Sequence, residues 1–394
     1  MRNLLFLGLF VSLSAHAGNL HDALEKAWLR NPQGQGLIAA QDEIQARREA
    51  SDSLTPSAPV LSVSHRGDQL NANLGQREWE AKLGLPLWQP GERNARRQLA
   101  ETGAAENGAS VAALRLALAS ELREALWAWH LAQNETELAR ERLVTAQALE
   151  LSVQRRVTAG DLAKVDLNLA RHETLAARAT LLEREARTAE TRQNWQALTG
   201  DEQLPNGDEE SIAPPAPPSA HPRLEAAHQA IALALAKIKL ASKTPRDNPE
   251  LGVFMRSERG TANTAYGDSI GISLSLPLST ESRNRPIVAA ANTVLVQAES
   301  EYRQTQLRLD LEIVRARQNL ATATSQLNLA ATQRDLAREN LKWLQKAFDL
   351  GETSLANLLK TRATQLESEL NHALRQIGVA QAKARLNQAQ GVLP

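Results

Sequence analysis

Four acidic side chains lie within a few residues of the two glycines that end long proline-free segments. They are Asp161, Asp166, Asp349 and Glu352. Carboxylates gathered into a ring attract and select cations. The same residue types also cap helices and occupy solvated turns, so Asp161 is equally suited to cap a following helix. The pattern leaves both interpretations open.

The sequence shows no pattern typical of a catalytic or metal-binding site. The eight histidines are scattered, and neither His130 nor His172 has a second candidate ligand one helical turn away, as a metal site on a helix requires. The sequence contains no phosphate loop, dinucleotide fingerprint or nucleophile elbow. We therefore predict that the chain is not an enzyme and that it binds no cofactor or metal.

Composition narrows the class of protein further. Lys+Arg and Asp+Glu are both 45, so charge does not favour nucleic acid as a partner. Cysteine is absent, which excludes disulfides and thiolate sites. Aromatic residues make up only 3% of the chain, and this favours thin helix-on-helix packing.

The acidic residues belong to a segment that occurs twice, as residues 83–160 and again as residues 274–351. The same offset of 191 residues separates Pro86 from Pro277, Gly160 from Gly351 and Gly200 from Gly391. In each copy an alternating apolar segment is followed by a charged turn and then by a long segment without proline. A helix of that length is on the order of 100 Å long, which no compact globular domain needs.

The long segments have helical periodicity. Between Gly91 and Gly160 apolar residues recur at steps of three and four, although Gly103 and Gly108 weaken the helix propensity near the start. Gly160 and Gly351 suit helix C-caps, and a shorter helix with a heptad-like seam follows each. The sequence predicts two long helical hairpins.

Before each long helix the period changes to two, which predicts two pairs of strands at residues 60–65, 78–87, 251–256 and 269–278. In the last strand Ile270, Ile272, Leu274 and Leu276 share one face, and the other face is glycine and serine. Such a strand either packs on a soluble core or faces lipid on one side and water on the other, as in an outer-membrane barrel.

The remaining segments set the predicted boundaries. Residues 1–17 have the charged start, apolar run and Ala-His-Ala ending of a secretory signal peptide. Helices are predicted at residues 20–30 and at about 33–54. A first repeat at residues 18–200 and a second at residues 222–394 are joined by a proline-rich connector, residues 201–221.

If the strands cross a membrane, one chain is not enough. Four strands cannot close a barrel, and an open edge in lipid leaves unpaired backbone groups that cost several kcal/mol each. Two copies would supply about eight strands, whose interior fills with side chains, and three would supply about twelve, enough for a channel.

The order of elements resembles the TolC-like outer-membrane efflux family over essentially the whole mature chain. The resemblance is carried by Leu-Pro-Leu at 85–87 and Gly-Glu-Arg at 91–93, by the matching Leu-Pro-Leu at 276–278, and by the hairpin tips at 160–167 and 351–358. The Gly-Glu-Arg-Asn turn is most similar to the heavy-metal efflux branch. The chain departs from the family in having Asn357 where an acidic residue is common, and in lacking a lipidated cysteine.

This resemblance implies an α+β membrane protein, a homotrimer with a 12-stranded β-barrel, four strands per chain, continued by a long α-helical coiled-coil tunnel. The barrel would lie in the outer membrane and the helical part in the periplasm. Its partners are a periplasmic adaptor and an inner-membrane pump that supplies the energy. The channel would conduct substrate passively, with heavy-metal cations as the first expectation and drugs or secreted polypeptides as alternatives. An alternative of another class is a secreted structural coiled-coil protein.

Roles for individual residues follow from the resemblance for adaptor docking, and from three-fold symmetry, charge repulsion and strand alternation for the others. Three copies of the tips would form a channel mouth with Asp349 and Glu352 as the preferred acidic ring and Asp161 and Asp166 as the second choice. Adaptor docking is expected at Gly160, Leu162, Gly351, Thr353 and Ser354. Lipid contact is expected at Ile270, Ile272, Leu274 and Leu276, and a resting contact that holds the mouth shut at Arg155, Arg156 or Arg362.

Overall fold

The computed structural model describes residues 20–205, 210–214, 217 and 220–394. The predicted signal peptide and part of the predicted connector lie outside these residues. The helices are α1 (Leu20–Arg30), α2 (Pro32–Ser51), α3 (Glu92–Thr158), α4 (Lys164–Thr199), α5 (Pro222–Lys243), α6 (Glu281–Asp349) and α7 (Leu355–Ala389). The strands are β1 (Val60–Gly67), β2 (Arg77–Pro86), β3 (Glu250–Arg259) and β4 (Gly267–Ser275).

The helices follow the predicted pattern with small shifts at their ends. α1 matches its predicted bounds, and α2 begins at Pro32, where the missing N–H of a first-turn proline costs nothing. α3 runs through Gly103 without a break, although the sequence predicted a weak start. At Gly103 the helix lies against the side chains of Ile44 and Leu233, and packing of this kind outweighs a propensity cost of about 1 kcal/mol. Among the described residues, no helix has the length and apolar character to cross a membrane.

The described residues fall into two units, and each unit draws on both halves of the chain. One comprises Met1–Asn31, Arg115–Ala216 and Leu309–Pro394, as far as these are described, and contains both hairpin tips. The other comprises Pro32–Leu114 and Pro217–Arg308 and contains all four strands.

The four strands form one antiparallel sheet in the order β1-β2-β3-β4. β2 pairs with β3 along its whole length, from Arg77 opposite Arg259 to Pro86 opposite Glu250. β4 ends at Ser275, so Leu276, which we predicted as a strand residue, lies just beyond it. Pro277 follows, and a proline both lacks a ladder donor and restricts the residue before it.

The two sides of the sheet differ in chemistry. Residues opposite one another in paired strands project from the same side. The apolar side carries Leu61, Val63, Ala81, Leu83, Leu251, Val253, Met255, Ile270, Ile272 and Leu274. The charged side carries Glu78, Glu80, Lys82, Arg256 and Glu258.

Exposure along the strands is the reverse of that in a soluble sheet. Ile270 and Ile272 are each 79% exposed, whereas Glu78 and Glu80 are half-buried. On the charged side the Arg256 guanidinium lies 2.6 Å from Glu80 and 3.0 Å from Glu78. Ion pairs therefore occupy the sheltered side, and apolar side chains the open side.

The charged turn after β2 connects this end of the sheet to the neighbouring segments through hydrogen bonds. The fully buried Glu92 carboxylate accepts from the Gln89 N–H at 3.1 Å and from the Asn248 amide at 2.6 Å. The neighbouring Arg93 donates to the Ser51 carbonyl at 3.0 Å, which ties α3 to the end of α2. This turn thus has a clear structural role.

In the unit that contains the tips, a buried arginine ties the connector to the helices. Arg123 on α3 is 3% exposed, and its guanidinium forms two hydrogen bonds to the Glu210 carboxylate, at 2.7 and 2.8 Å. It also donates to the Val392 carbonyl at 3.1 Å. The Asn387 amide on α7 reaches the same carboxylate at 3.0 Å. The ion pair thereby joins α3, the connector and the end of α7.

Candidate functional site

Each helical hairpin reverses at a glycine in the left-handed region. Gly160 has a φ of +91° and Gly351 a φ of +79°. The next N–H closes the helix end in both tips, from Asp161 to the Arg156 carbonyl at 2.8 Å and from Glu352 to the Ala347 carbonyl at 2.9 Å. This is the hydrogen-bond pattern of a Schellman cap. The prediction that these two glycines reverse the chain is confirmed.

A valine at position 351 tests this turn. No atom lies within 4 Å of a Cβ built on Gly351, so the expected cost is backbone strain alone, about 1–2 kcal/mol for a left-handed L residue. We expect faster hydrogen exchange confined to the tip and reduced export by cells carrying the variant.

The matched control is Gly378→Val, because Gly378 lies inside α7 and also has open space around it. That change should leave the tip unaltered. Normal tip protection and normal export in Gly351→Val would show that the turn tolerates a side chain and has no part in transport.

The two tips of one chain pack together. Their shared apolar cluster consists of Leu149, Val153 and Ala170 from the first hairpin and Phe348, Leu355 and Leu358 from the second. Leu162, one of the predicted docking residues, packs against this cluster and is half-buried. Its side chain therefore holds the tips together.

The predicted ring residues differ in their surroundings. Asp349, Glu352 and Asp161 are exposed, whereas Asp166 is half-buried. The Asp166 carboxylate accepts from the Ala163 N–H at 3.1 Å and so caps α4, the role that the sequence offered to Asp161. Capping gives Asp166 a structural role, and Asp349 and Glu352 retain the exposure that an acidic ring needs.

Arg362 bridges three helices close to Asp349. Its guanidinium donates to the Gln345 side-chain oxygen at 2.8 Å and approaches the Thr145 carbonyl at 3.5 Å. Burial lowers the pKa of Arg362, and the carboxylates of Asp349 and Glu173 oppose that shift. The Gln345 amide in turn donates to Asp349 at 3.0 Å. Sequence reasoning missed Gln345, although its spacing of four residues from Asp349 marks a possible helix-surface pair.

Arg156 joins the two tips directly. It donates to the Phe348 carbonyl at 3.2 Å, and its guanidinium lies 4.8 Å from the centre of the Phe348 ring. Both contacts place positive charge at the C-terminal end of α6, where the helix dipole favours it. Arg155, the third candidate, is exposed.

The remaining docking candidates belong to the second turn. The Ser354 hydroxyl accepts from the Asn357 N–H at 3.3 Å and is the N-cap of α7. The Asn357 amide donates to the Thr353 hydroxyl at 3.3 Å. The asparagine at the family's usual acidic position thus helps to order this turn.

His130 has a packing role. It lies against Trp127 and Trp129, with ring centres 5.5 and 4.9 Å away, and burial lowers its pKa. Across the described ranges, no three His, Cys, Asp or Glu side chains are grouped so that they could hold a metal ion.

The comparison with protein families gives a match over most of the chain. The family described as outer membrane efflux protein matches residues 26–201 and 219–392. The two matched segments correspond to the two halves of the internal repeat. No curated protein matches this sequence.

Solved channel structures share the fold at low sequence identity. VceC from Vibrio cholerae, an outer membrane protein, has a TM-score of 0.74 at 16% identity, covering 95% of this chain and 96% of that one. CusC, a protein described as forming a transmembrane channel, has a TM-score of 0.78 at 16% identity, covering 95% and 92%. The Campylobacter jejuni outer membrane channel CmeC has a TM-score of 0.73 at 15% identity, covering 94% and 85%.

The family match confirms the resemblance stated from the sequence, and with it the class of protein, an outer-membrane efflux channel and not an enzyme. It leaves the heavy-metal branch as a prediction. The chain belongs to the outer membrane efflux protein family.

Proposed function

We propose that this chain forms, as a homotrimer, the outer-membrane channel of a tripartite efflux system. The observation that carries the proposal is the two-sided, four-stranded sheet with β1 and β4 at its edges. Its apolar side chains are exposed, whereas on the charged side Glu78, Glu80, Lys82 and Arg256 are half-buried and ion-paired. That arrangement suits a strand wall between lipid and water.

Closure of this sheet requires further copies of the chain. Among the described residues of a single chain, β1 and β4 each have one strand neighbour, so each has one free edge. Joining β4 of one copy to β1 of the next removes every edge, and three copies give a barrel of about twelve strands that can hold a channel. In this arrangement the apolar side faces lipid and the charged side lines the lumen.

The alternative of a secreted structural coiled-coil protein fits less well. A soluble sheet would bury Ile270 and Ile272 against a core, yet both are exposed. An exposed apolar band across four strands is a membrane or association surface.

The proposal extends to location and partners. The strands lie in the outer membrane and the helical part in the periplasm, where the tips meet a periplasmic adaptor at Gly160, Leu162, Gly351, Thr353 and Ser354. An inner-membrane pump supplies the energy, because nothing in a passive channel couples transport to a reaction. Of these five residues, Gly160, Gly351 and Ser354 are exposed.

Extraction and conductance test the proposal. The channel should require detergent for extraction, sediment as about three chains and conduct ions in a planar bilayer. A protein found in the soluble periplasmic fraction, without conductance, would support the structural alternative.

The acidic mouth gives a specific prediction. Changing Asp349→Asn together with Glu352→Gln should lower the cation-over-anion permeability ratio several-fold, because a ring of exposed carboxylates concentrates cations at the entrance. Reversal potentials under a salt gradient measure this ratio. Assembly should be unchanged.

The control for this pair removes the same charge elsewhere on α6, with Asp310→Asn and Glu339→Gln, both exposed. We expect a much smaller change in selectivity. An unaltered reversal potential in the Asp349 and Glu352 variant would leave these carboxylates as turn residues only.

The cargo is proposed as heavy-metal cations, on the resemblance of the Gly-Glu-Arg-Asn turn at 91–94. Drugs and secreted polypeptides remain the alternatives. A deletion strain should lose tolerance to at least one of zinc, cobalt, cadmium, nickel, copper and silver, and unchanged tolerance to all six would exclude the metal cargo.

A further inference from the structure

Two arginines face each other on the apolar side of the sheet, at its loop end. Arg77 at the start of β2 is directly opposite Arg259 at the end of β3. Alternation along the strands puts Arg77 on the side of Trp79 and Ala81, and Arg259 on the side of Met255. Like charges directly opposite one another in a sheet are destabilising.

The part of the chain that the structure describes supplies no carboxylate partner for this pair. Neither arginine forms an ion pair among the described residues, and Arg77 is exposed. Arg259 is held in place by a hydrogen bond to the Gly75 carbonyl at 3.2 Å and by the Tyr266 ring, whose centre is 5.1 Å away. Asp268 on the same side is exposed and lies opposite Ser257, so it is a diagonal neighbour of Arg259, but the two form no ion pair.

The other side of the sheet is different at the same level. There Arg66 and Arg256 both approach the Glu78 carboxylate, at 3.7 and 3.0 Å. Charge compensation is therefore built into the charged side. Among the arginines of the described strands, the two without a carboxylate partner, Arg77 and Arg259, both lie on the apolar side.

The position of the pair indicates its ligand. All helical connections leave the sheet at the end opposite the β1–β2 and β3–β4 loops. In the proposed membrane orientation, on which this inference rests, the loop end reaches the outer leaflet. Trp79 is 50% exposed there and stacks on His65 with ring centres 4.2 Å apart. Exposed aromatic rings of this kind mark the level of lipid headgroups.

We propose that Arg77 and Arg259 bind the phosphate of a phosphorylated lipid headgroup in the outer leaflet. Guanidinium groups match phosphate oxygens with paired, charge-assisted hydrogen bonds, and an anion between them removes the repulsion. The Tyr266 ring and the Gly75 carbonyl hold one of the two guanidiniums ready for that contact.

Lipid binding by the purified trimer tests the proposal, with diphosphorylated lipid A as the probe. Wild-type protein in detergent should bind lipid A, seen as adducts in native mass spectrometry. Arg77→Gln with Arg259→Gln should weaken binding about tenfold or more, the effect of losing charged hydrogen bonds. The matched control is Arg66→Gln, which removes one arginine at the same end but from the charged side, and it should retain wild-type affinity.

Three results would overturn the proposal. They are no lipid A binding by the wild type, equal loss in Arg66→Gln, and binding of inorganic phosphate as tight as that of lipid A, which would make this a free-anion site. Conductance in a bilayer free of lipid A separates this inference from the proposed function. A conducting wild type that ignores lipid A refutes only the lipid site, whereas a protein that forms no channel refutes the proposed function.

Discussion

Arginine in place of Ile272 is expected to destabilise the inserted protein by about 2–4 kcal/mol, the cost of a charged side chain on the lipid face of a barrel near the middle of the bilayer. Ile272 is 79% exposed, opposite Val253, and lies near the centre of β4. Leu274 is nearer the helical end of the strand, so Leu274→Arg should cost less, because this penalty falls toward the membrane interface.

Ser273→Arg is the matched control, since Ser273 projects from the charged side opposite Gly252. In the water-filled lumen the new charge should have little effect on insertion. Denaturant titration of the protein in lipid vesicles gives the three free energies of unfolding. Equal stability of the Ile272 and Ser273 variants would contradict the assignment of the apolar side to lipid.

Loss of Arg123 is expected to cost about 3–5 kcal/mol, the usual effect of leaving one partner of a buried ion pair without its counter-charge. Its side chain is 4% exposed and that of Glu210 is 14% exposed. Arg123→Met keeps much of the side-chain volume but leaves the carboxylate without the guanidinium. Thermal unfolding of the detergent-solubilised protein should show a large fall in the midpoint.

Two further variants show whether the lost ion pair causes the loss of stability in Arg123→Met. Arg140→Met removes an exposed ion pair between Arg140, which lies on α3 with Arg123, and Glu185 on α4, with a separation of 3.3 Å. It should cost at most about 1 kcal/mol. Adding Glu210→Gln to Arg123→Met should recover part of the lost stability, since the unpaired charge is then gone. A double variant as unstable as the single one would mean that packing, and not charge, is the role of Arg123.

The hairpin tips show how far sequence reasoning reached at the candidate site. It predicted both reversals at Gly160 and Gly351, because a glycine after a long helical period is a local signal. It preferred Asp349 and Glu352 for the ring but offered the helix cap to Asp161, since capping depends on where a side chain turns. The structure assigns Asp166 to the α4 cap and leaves Asp349 exposed beside Gln345.

In the sheet, too, local features were predicted and an element boundary was missed. Alternation predicted four strands and the apolar set Ile270, Ile272 and Leu274, because the period of two is a property of the strand itself. The end of β4 before Leu276 was missed, and only strand pairing revealed it.

Local patterns were enough to predict the repeat, the long helices, the strand pairs and the family, because periodicity and turn residues are visible within short windows. Which distant residues contact one another became known only from the fold. The pairing of β2 with β3 placed Arg77 opposite Arg259, and folding brought Arg123 to Glu210 across 87 residues. Such contacts depend on the register and packing of whole elements, which no local pattern encodes.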